Sequence, residues 1–167
     1  MRIISGKFKG KKLLEPKDNK TRPLKDLTKE SIFNIINHSN KFKVDIKNSK
    51  ILDLFSGVGS FGIECLSREA KFVTFIENYK LALTILKKNL NNLHIDKRYE
   101  IIGEDIFANS SLLNQKNIFD IIFLDPPYKE KNISFVLDKI FNEKLLENKG
   151  LIIIHRHKKE NDNYSEN

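Results

Sequence analysis

Two short segments of this 167-residue chain combine residue types that could do chemistry, and each follows an apolar run. In the first, I-L-D-L-F at residues 51–55 precedes Gly57, Gly59 and Gly62, which have the spacing G-x-G-x-x-G. This order predicts a buried strand, a tight turn and a helix start, with backbone that a ligand can approach. In the second, Asp125-Pro126-Pro127-Tyr128 follows residues 118–124, I-F-D-I-I-F-L, which are apolar except for one acid.

Asp53 decides what kind of ligand the glycine turn suits. The glycine spacing alone would also fit the pyrophosphate turn of a dinucleotide site, or an ordinary strand-helix turn with a surface acid. A carboxylate four residues before Gly57 would repel a pyrophosphate but attract an ammonium group. S-adenosylmethionine carries such an ammonium, so the segment favours that cofactor over NAD.

The second segment suits a nucleobase amine. The prolines restrict the backbone, so that a carbonyl and the Asp125 carboxylate can face outward beside the Tyr128 ring. An exocyclic amino nitrogen is a poor nucleophile because its lone pair is delocalised, and two acceptors on its N–H bonds would orient it toward a methyl donor. Tyr128 could stack on the base. The alternative is a proline-stiffened strand end without a ligand.

The elements between these segments predict how they meet. Five apolar or β-branched runs alternate with helical patterns, which predicts an α/β doubly wound, mainly parallel sheet. Glu77, 20 residues after Gly57, stands where nucleotide sites place a ribose-binding acid, and Asp105 with Ile106 could meet an adenine. Because Asp53, Glu77, Asp105 and Asp125 all end strands, they should share one edge of the sheet.

Charge is concentrated in the first 50 residues, which hold 14 of the 30 Lys and Arg but 5 of the 22 Asp and Glu. This distribution predicts a basic, phosphate-binding extension on a nearly neutral core, although a solvated lysine-rich surface would look the same.

One cysteine, no signal-peptide pattern and no membrane-length apolar run predict a cytoplasmic protein. His155 and His157 lack partners at metal-ligand spacing, so we expect solvated side chains and no metal site.

Together these motifs resemble a known family. L-D-L-F-S-G-V-G-S-F-G-I-E, F-I-E, G-E-D-I-F and D-P-P-Y are similar to class I S-adenosylmethionine-dependent methyltransferases that act on amino nitrogens. The opening R-I-I-S-G-K-F-K-G-K-K-L, T-R-P and E-S-I-F-N-I resemble more narrowly the RsmD family, which methylates N2 of a guanine in bacterial 16S ribosomal RNA.

The resemblance implies a Rossmann-like fold and a set of site residues. It implies that the methionine part of the cofactor lies against Asp53, Phe55, Gly57 and Gly59, the ribose at Glu77, and the adenine at Asp105 and Ile106. It implies that the guanine lies at Asp125, Pro126, Pro127 and Tyr128, and the RNA on the basic N-terminal residues. The residues predicted to bind RNA are Arg2, Lys7, Lys9, Lys11 and Arg22.

We therefore predict a single-domain monomer with an RNA-binding hairpin and helix at 1–47, a methyltransferase core at 48–155 and a polar, disordered tail at 156–167. The chain departs from the family pattern at Leu27, where a basic residue is usual, and after the fifth strand, where a helix and closing hairpin are usual. An uncovered sheet edge is expected there. The alternatives are a DNA adenine-N6 methyltransferase and a non-catalytic RNA-binding assembly factor.

Overall fold

A computed structural model describes residues 1–18, 24–39, 41–95, 97–108 and 117–156. Its core is a five-stranded parallel sheet in the order β3-β2-β1-β4-β5. The strands are β1 Lys50–Leu54, β2 Phe72–Ile76, β3 Tyr99–Ile102, β4 Phe119–Leu124 and β5 Leu146–Ile154. The helices are α1 Asp26–His38, α2 Ser60–Ser67, α3 Lys80–Asn92 and α4 Ile133–Asn142. The predicted α/β doubly wound sheet is confirmed.

Apolar side chains alternate between two faces of this sheet, and each face has its own core. Ile51 of β1 and Phe123 of β4 pack with the N-terminal residues, α1, α2 and α3. Leu52 of β1 and Ile122 of β4 pack on the other face with α4. Burial on both faces explains why the central strands are apolar almost without interruption. None of the helices in the described stretches is long and apolar enough to cross a membrane.

The N-terminal extension is attached to α2 by hydrogen bonds. Residues 1–13 form a narrow hairpin with one antiparallel bridge, Arg2 to Lys12. The buried Glu64 carboxylate accepts the backbone N–H groups of Ile4 (2.8 Å) and Ser5 (2.9 Å). Lys29, also fully buried, donates to the Arg2 carbonyl at 2.7 Å and lies 3.8 Å from Glu64. The predicted hairpin and helix are therefore packed on the core rather than extended from it.

Gly62 sets how closely α2 approaches the sheet. A Cβ at this position would lie 2.3 Å from Cε1 of Phe75 and 2.8 Å from Cγ1 of Val73. Both neighbours are fully buried in β2, so neither can move aside without disturbing the core. The third glycine of the motif is thus required by packing between helix and strand.

We expect Gly62→Ala to lower the free energy of unfolding by about 1–3 kcal/mol, the usual cost of overpacking a core. Gly103→Ala is the matched control, because a Cβ there would meet only the end of the Leu83 side chain, at 3.3 Å, which needs to give by no more than a few tenths of an ångström. Urea denaturation of the two variants checks this. Equal midpoints for both variants would show that α2 can move away from β2 at little cost.

Candidate active site

A cavity of about 420 Å³ opens at the carboxyl ends of the strands. It lies where the strand order reverses, with β1 on one side and β4 on the other, which is the usual ligand position in a doubly wound sheet. Asp53, Phe55, Gly57 and Glu77 line one part of it, and residues 125–128 line the other. The structure therefore brings the two predicted segments together in one cavity.

The turn after β1 leaves backbone open to the cavity. At Gly57 nothing lies within 4 Å of where a Cβ would be, so a ligand can come against this backbone. Phe55 has a φ of +58°, a conformation that costs a non-glycine residue free energy and is frequent at functional sites. Gly59 does not line the cavity: it precedes α2 with a φ of +84°, and a Cβ there would lie 2.5 Å from Leu86.

Asp53 lines this cavity and is only 1% exposed. Its Oδ2 accepts the Gly62 N–H at 2.9 Å, which leaves Oδ1 for a second donor. Burial raises the pKa of the Asp53 carboxyl well above its usual range; the Gly62 hydrogen bond opposes this, and the charges of Asp125 and Glu77 add to it. A cation bound at Asp53 would offset the cost of ionising it.

Glu77 joins the end of β2 to the glycine turn. Its Oε2 accepts the Gly57 N–H at 2.7 Å, and its Oε1 accepts the Tyr79 N–H at 2.8 Å. These bonds hold the carboxylate at the cavity wall. Each oxygen retains a lone pair that can accept a hydroxyl hydrogen.

Asp125 begins the loop that follows β4. Its N–H donates to the Leu54 carbonyl at 3.3 Å, so the loop is held beside the end of β1. The Pro127 carbonyl accepts the Glu130 N–H at 2.9 Å. Pro127 therefore has an intramolecular partner, and within the described residues no hydrogen bond to the Pro126 carbonyl is found.

His155 and Arg156 were missed as site residues in the sequence. His155 Nδ1 lies 2.8 Å from Asp125 Oδ1, and His155 lines the cavity. Arg156 donates to the Glu130 carbonyl at 2.8 Å and to the Pro127 carbonyl at 3.4 Å. The expectation that the His155 side chain is simply solvated was wrong, because it contacts Asp125, which lies 30 residues away in sequence. The adjacent ends of β4 and β5 are the signal that could have identified it. His157 and the rest of the predicted tail, 157–167, lie outside the described residues.

The predicted adenine contacts are not part of the cavity lining. Asp105 Oδ1 accepts the Phe107 N–H at 2.9 Å, and Ile106 is buried against the α4 side of the sheet. Among the described residues of this loop, 103–108, Phe107 packs beside Phe55, which lines the cavity, with its ring centroid 5.9 Å from that of Phe55. The roles of Asp105 and Ile106 toward adenine stay predictions.

The predicted RNA-binding lysines lie away from the cavity. The hairpin turn that carries Lys7, Lys9 and Lys11 is bonded to Ser67, at the end of α2 opposite the glycine turn. Eight helical residues separate the two ends by about 12 Å. All three lysines and Arg2 are exposed, Arg2 beside Asp26, and Lys25 lines the cavity. Arg22 lies outside the described residues.

This arrangement suits a cationic ligand that has an apolar part. Three carboxylates, Asp53, Glu77 and Asp125, surround the cavity, while its cationic or basic lining residues are Lys25 and His155. Such a wall would repel a pyrophosphate and attract an ammonium or sulfonium group. Beside it, Asp125 and Tyr128 offer an acceptor and an aromatic ring to a second ligand.

The chain is similar in sequence and in structure to known proteins. The model of the family described as Conserved hypothetical protein 95 matches residues 1–166. YlbH of Bacillus subtilis is 36% identical over 154 residues, which is 92% of this chain and 80% of YlbH. Ribosomal RNA small subunit methyltransferase D of Buchnera aphidicola (subsp. Acyrthosiphon pisum) is 35% identical over 95% of this chain and 78% of its own. The solved structure of HI0767 from Haemophilus influenzae has a TM-score of 0.75 and 33% identity, covering 99% of this chain and 86% of that one.

Proposed function

The chain belongs to the Conserved hypothetical protein 95 family, the RsmD family of ribosomal RNA methyltransferases, and from this we propose that it methylates N2 of a guanine in 16S ribosomal RNA. The methyl donor is S-adenosylmethionine. One observation carries the proposal: a single cavity is lined both by Asp53 and Glu77 and by Asp125–Tyr128. A methyl donor and an amine could therefore meet in it.

The residues present fit S-adenosylmethionine. Its ammonium matches the buried Asp53 carboxylate, and its ribose hydroxyls match Glu77, which the glycine turn already holds in place. The empty space over Gly57 allows close approach to the backbone. A volume of about 420 Å³ is within the usual range of small-molecule sites. When bound, this cofactor supplies an electrophilic methyl group on a sulfonium sulfur.

The chain's residues act on the amine rather than on the methyl group. Asp125 Oδ2 and the Pro126 carbonyl accept the two N–H hydrogens, which directs the nitrogen lone pair toward the cofactor side. When the amine nitrogen takes the methyl group, one of its two protons would leave to Asp125 or to water. The gain comes mainly from positioning, which can contribute about 7 kcal/mol or more. A guanine paired within RNA must be turned outward before it can enter.

The exposed lysines of the N-terminal hairpin would bind the RNA backbone, about 12 Å from the cavity along α2. That distance lets one RNA strand contact the hairpin while a single base occupies the cavity. Lys129 and Lys131, exposed on either side of Glu130, add positive charge near Tyr128. We also propose that the protein acts as a cytoplasmic monomer.

Replacing Lys7, Lys9 and Lys11 together with alanine should weaken RNA binding and flatten its salt dependence. Each lost phosphate contact lowers the slope of log K against log salt by about 0.7–0.9, so the slope should fall by about two to three. Filter binding between low and moderate salt measures this. Alanine at Lys87, Lys88 and Lys144, which are also exposed, removes the same charge elsewhere. If both triple variants change the slope equally, the hairpin is not the specific contact.

The function itself is tested by methyl transfer from labelled S-adenosylmethionine. The acceptors are small ribosomal subunits that lack the modification, naked ribosomal RNA and duplex DNA, and the labelled nucleoside is identified after digestion. Label on N2 of guanine in ribosomal RNA supports the proposal. Label on adenine in DNA would replace it with an adenine-N6 activity, and cofactor binding without transfer to any acceptor would indicate a non-catalytic RNA-binding protein.

A further inference from the structure

His155 is held firmly next to the residue proposed to receive the amine. β4 and β5 pair in parallel with Leu124 opposite Ile154, so residues 125 and 155 leave the sheet side by side. The His155 N–H donates to the Leu124 carbonyl at 2.9 Å. Arg156 then binds two carbonyls of the 127–130 loop. The backbone on either side of the His155 ring is therefore attached to the Asp125 loop.

The side-chain contact has a defined direction. A carboxylate oxygen accepts hydrogen bonds, so we assign the ring hydrogen to Nδ1, which lies 2.8 Å from Asp125 Oδ1. The imidazole then fixes the rotation of the carboxylate by occupying Oδ1. Within the described residues no other side chain donates to Asp125, so Oδ2 is the oxygen presented to a ligand.

We propose that His155 is a positioning residue for methyl transfer: it holds the Asp125 carboxylate turned so that Oδ2 meets the amine of the base. This inference rests on the proposed function. It assigns His155 no contact with the methyl donor, and therefore predicts an effect on the transfer rate and little effect on cofactor affinity.

Three substitutions separate positioning from simple packing. The amide nitrogen of asparagine can occupy the place of Nδ1, whereas that of glutamine occupies the place of Nε2. His155→Ala and His155→Gln should lower the single-turnover rate about tenfold to a hundredfold, the cost of a misplaced reacting group. His155→Asn should restore most of the rate. The Kd for S-adenosylhomocysteine, measured by calorimetry, should stay within about threefold in all three, which also verifies folding.

The outcomes are distinct. If wild-type protein methylates RNA and His155→Ala does so equally fast, or if asparagine and glutamine behave alike, the positioning role is wrong. If wild-type protein methylates no RNA, the proposed function is what fails. The contact between His155 and Asp125 is then tested by ¹⁵N NMR of the imidazole nitrogens. The His155 signals are identified as those that disappear in the His155→Asn variant. A protonated Nδ1 whose shift changes in Asp125→Asn supports the contact, and an unchanged shift overturns it.

Discussion

Replacing Asp125 with alanine is expected to lower the rate of methyl transfer about 10²- to 10³-fold, while affinity for S-adenosylhomocysteine changes by less than about threefold. Asp125 faces the proposed base position, and the carboxylates that would hold the cofactor are Asp53 and Glu77. Loss of the Asp125 carboxylate would remove a hydrogen-bond acceptor that contacts the amine and not the cofactor. Single-turnover rates with saturating enzyme report the chemical step directly.

Asp138→Ala is the control for this experiment, because Asp138 is an exposed acid on α4. It should leave both the rate and the affinity unchanged. Comparable losses of rate and cofactor affinity in Asp125→Ala would instead place this carboxylate at the cofactor. An unaltered rate would exclude Asp125 from the transfer.

Asp53→Asn is expected to weaken cofactor binding about tenfold to a hundredfold, the equivalent of one hydrogen bond to a charged group, about 1.5–3 kcal/mol. Asparagine keeps a side-chain oxygen for the Gly62 N–H, so the start of α2 stays intact. What it removes is the negative charge. Calorimetry with S-adenosylhomocysteine, which has the same ammonium, measures the loss without turnover.

The raised pKa of Asp53 makes this binding depend on pH. Below that pKa the folded protein holds a proton on Asp53, which an ammonium must displace, so affinity should increase as pH rises through the raised pKa and then level off. The free energy of unfolding should change in the opposite direction and fall as pH rises. The unfolded chain releases this proton near its ordinary pKa of about 3.9, so the contribution of Asp53 to stability is lost as pH rises through the folded pKa.

Asp120→Asn tests whether the charge must be at Asp53. Asp120 also accepts a backbone N–H, that of Lys50 at 2.7 Å, but it lies near the other end of β4, about 16 Å from Asp125 along the strand. The Asp120→Asn variant should bind the cofactor with the affinity of the wild type and with the same pH dependence. A pH dependence that persists in Asp53→Asn would assign the proton to another group.

The order and type of the elements could be predicted from local sequence. The runs at 51–55 and 118–124 are short, apolar apart from one acid each, and followed by glycines or prolines, which favours buried strands; their placement between helical patterns leads to a parallel sheet. The same pattern also predicted which two segments line the cavity. Parallel strands deliver their carboxyl ends to one edge, so Asp53, Glu77 and Asp125 had to meet there.

Only the tertiary structure decided which side chains from distant parts of the sequence are in contact. His155 reaches Asp125 because Ile154 pairs with Leu124, and Lys29 is buried against Glu64 because the extension packs on α2. Phe107, rather than Ile106, approaches Phe55 because Ile106 is taken up by the core. Sequence periodicity reports which face of its own element a side chain occupies. Strand register and packing between elements decide which distant side chain it touches, and such contacts leave no local pattern.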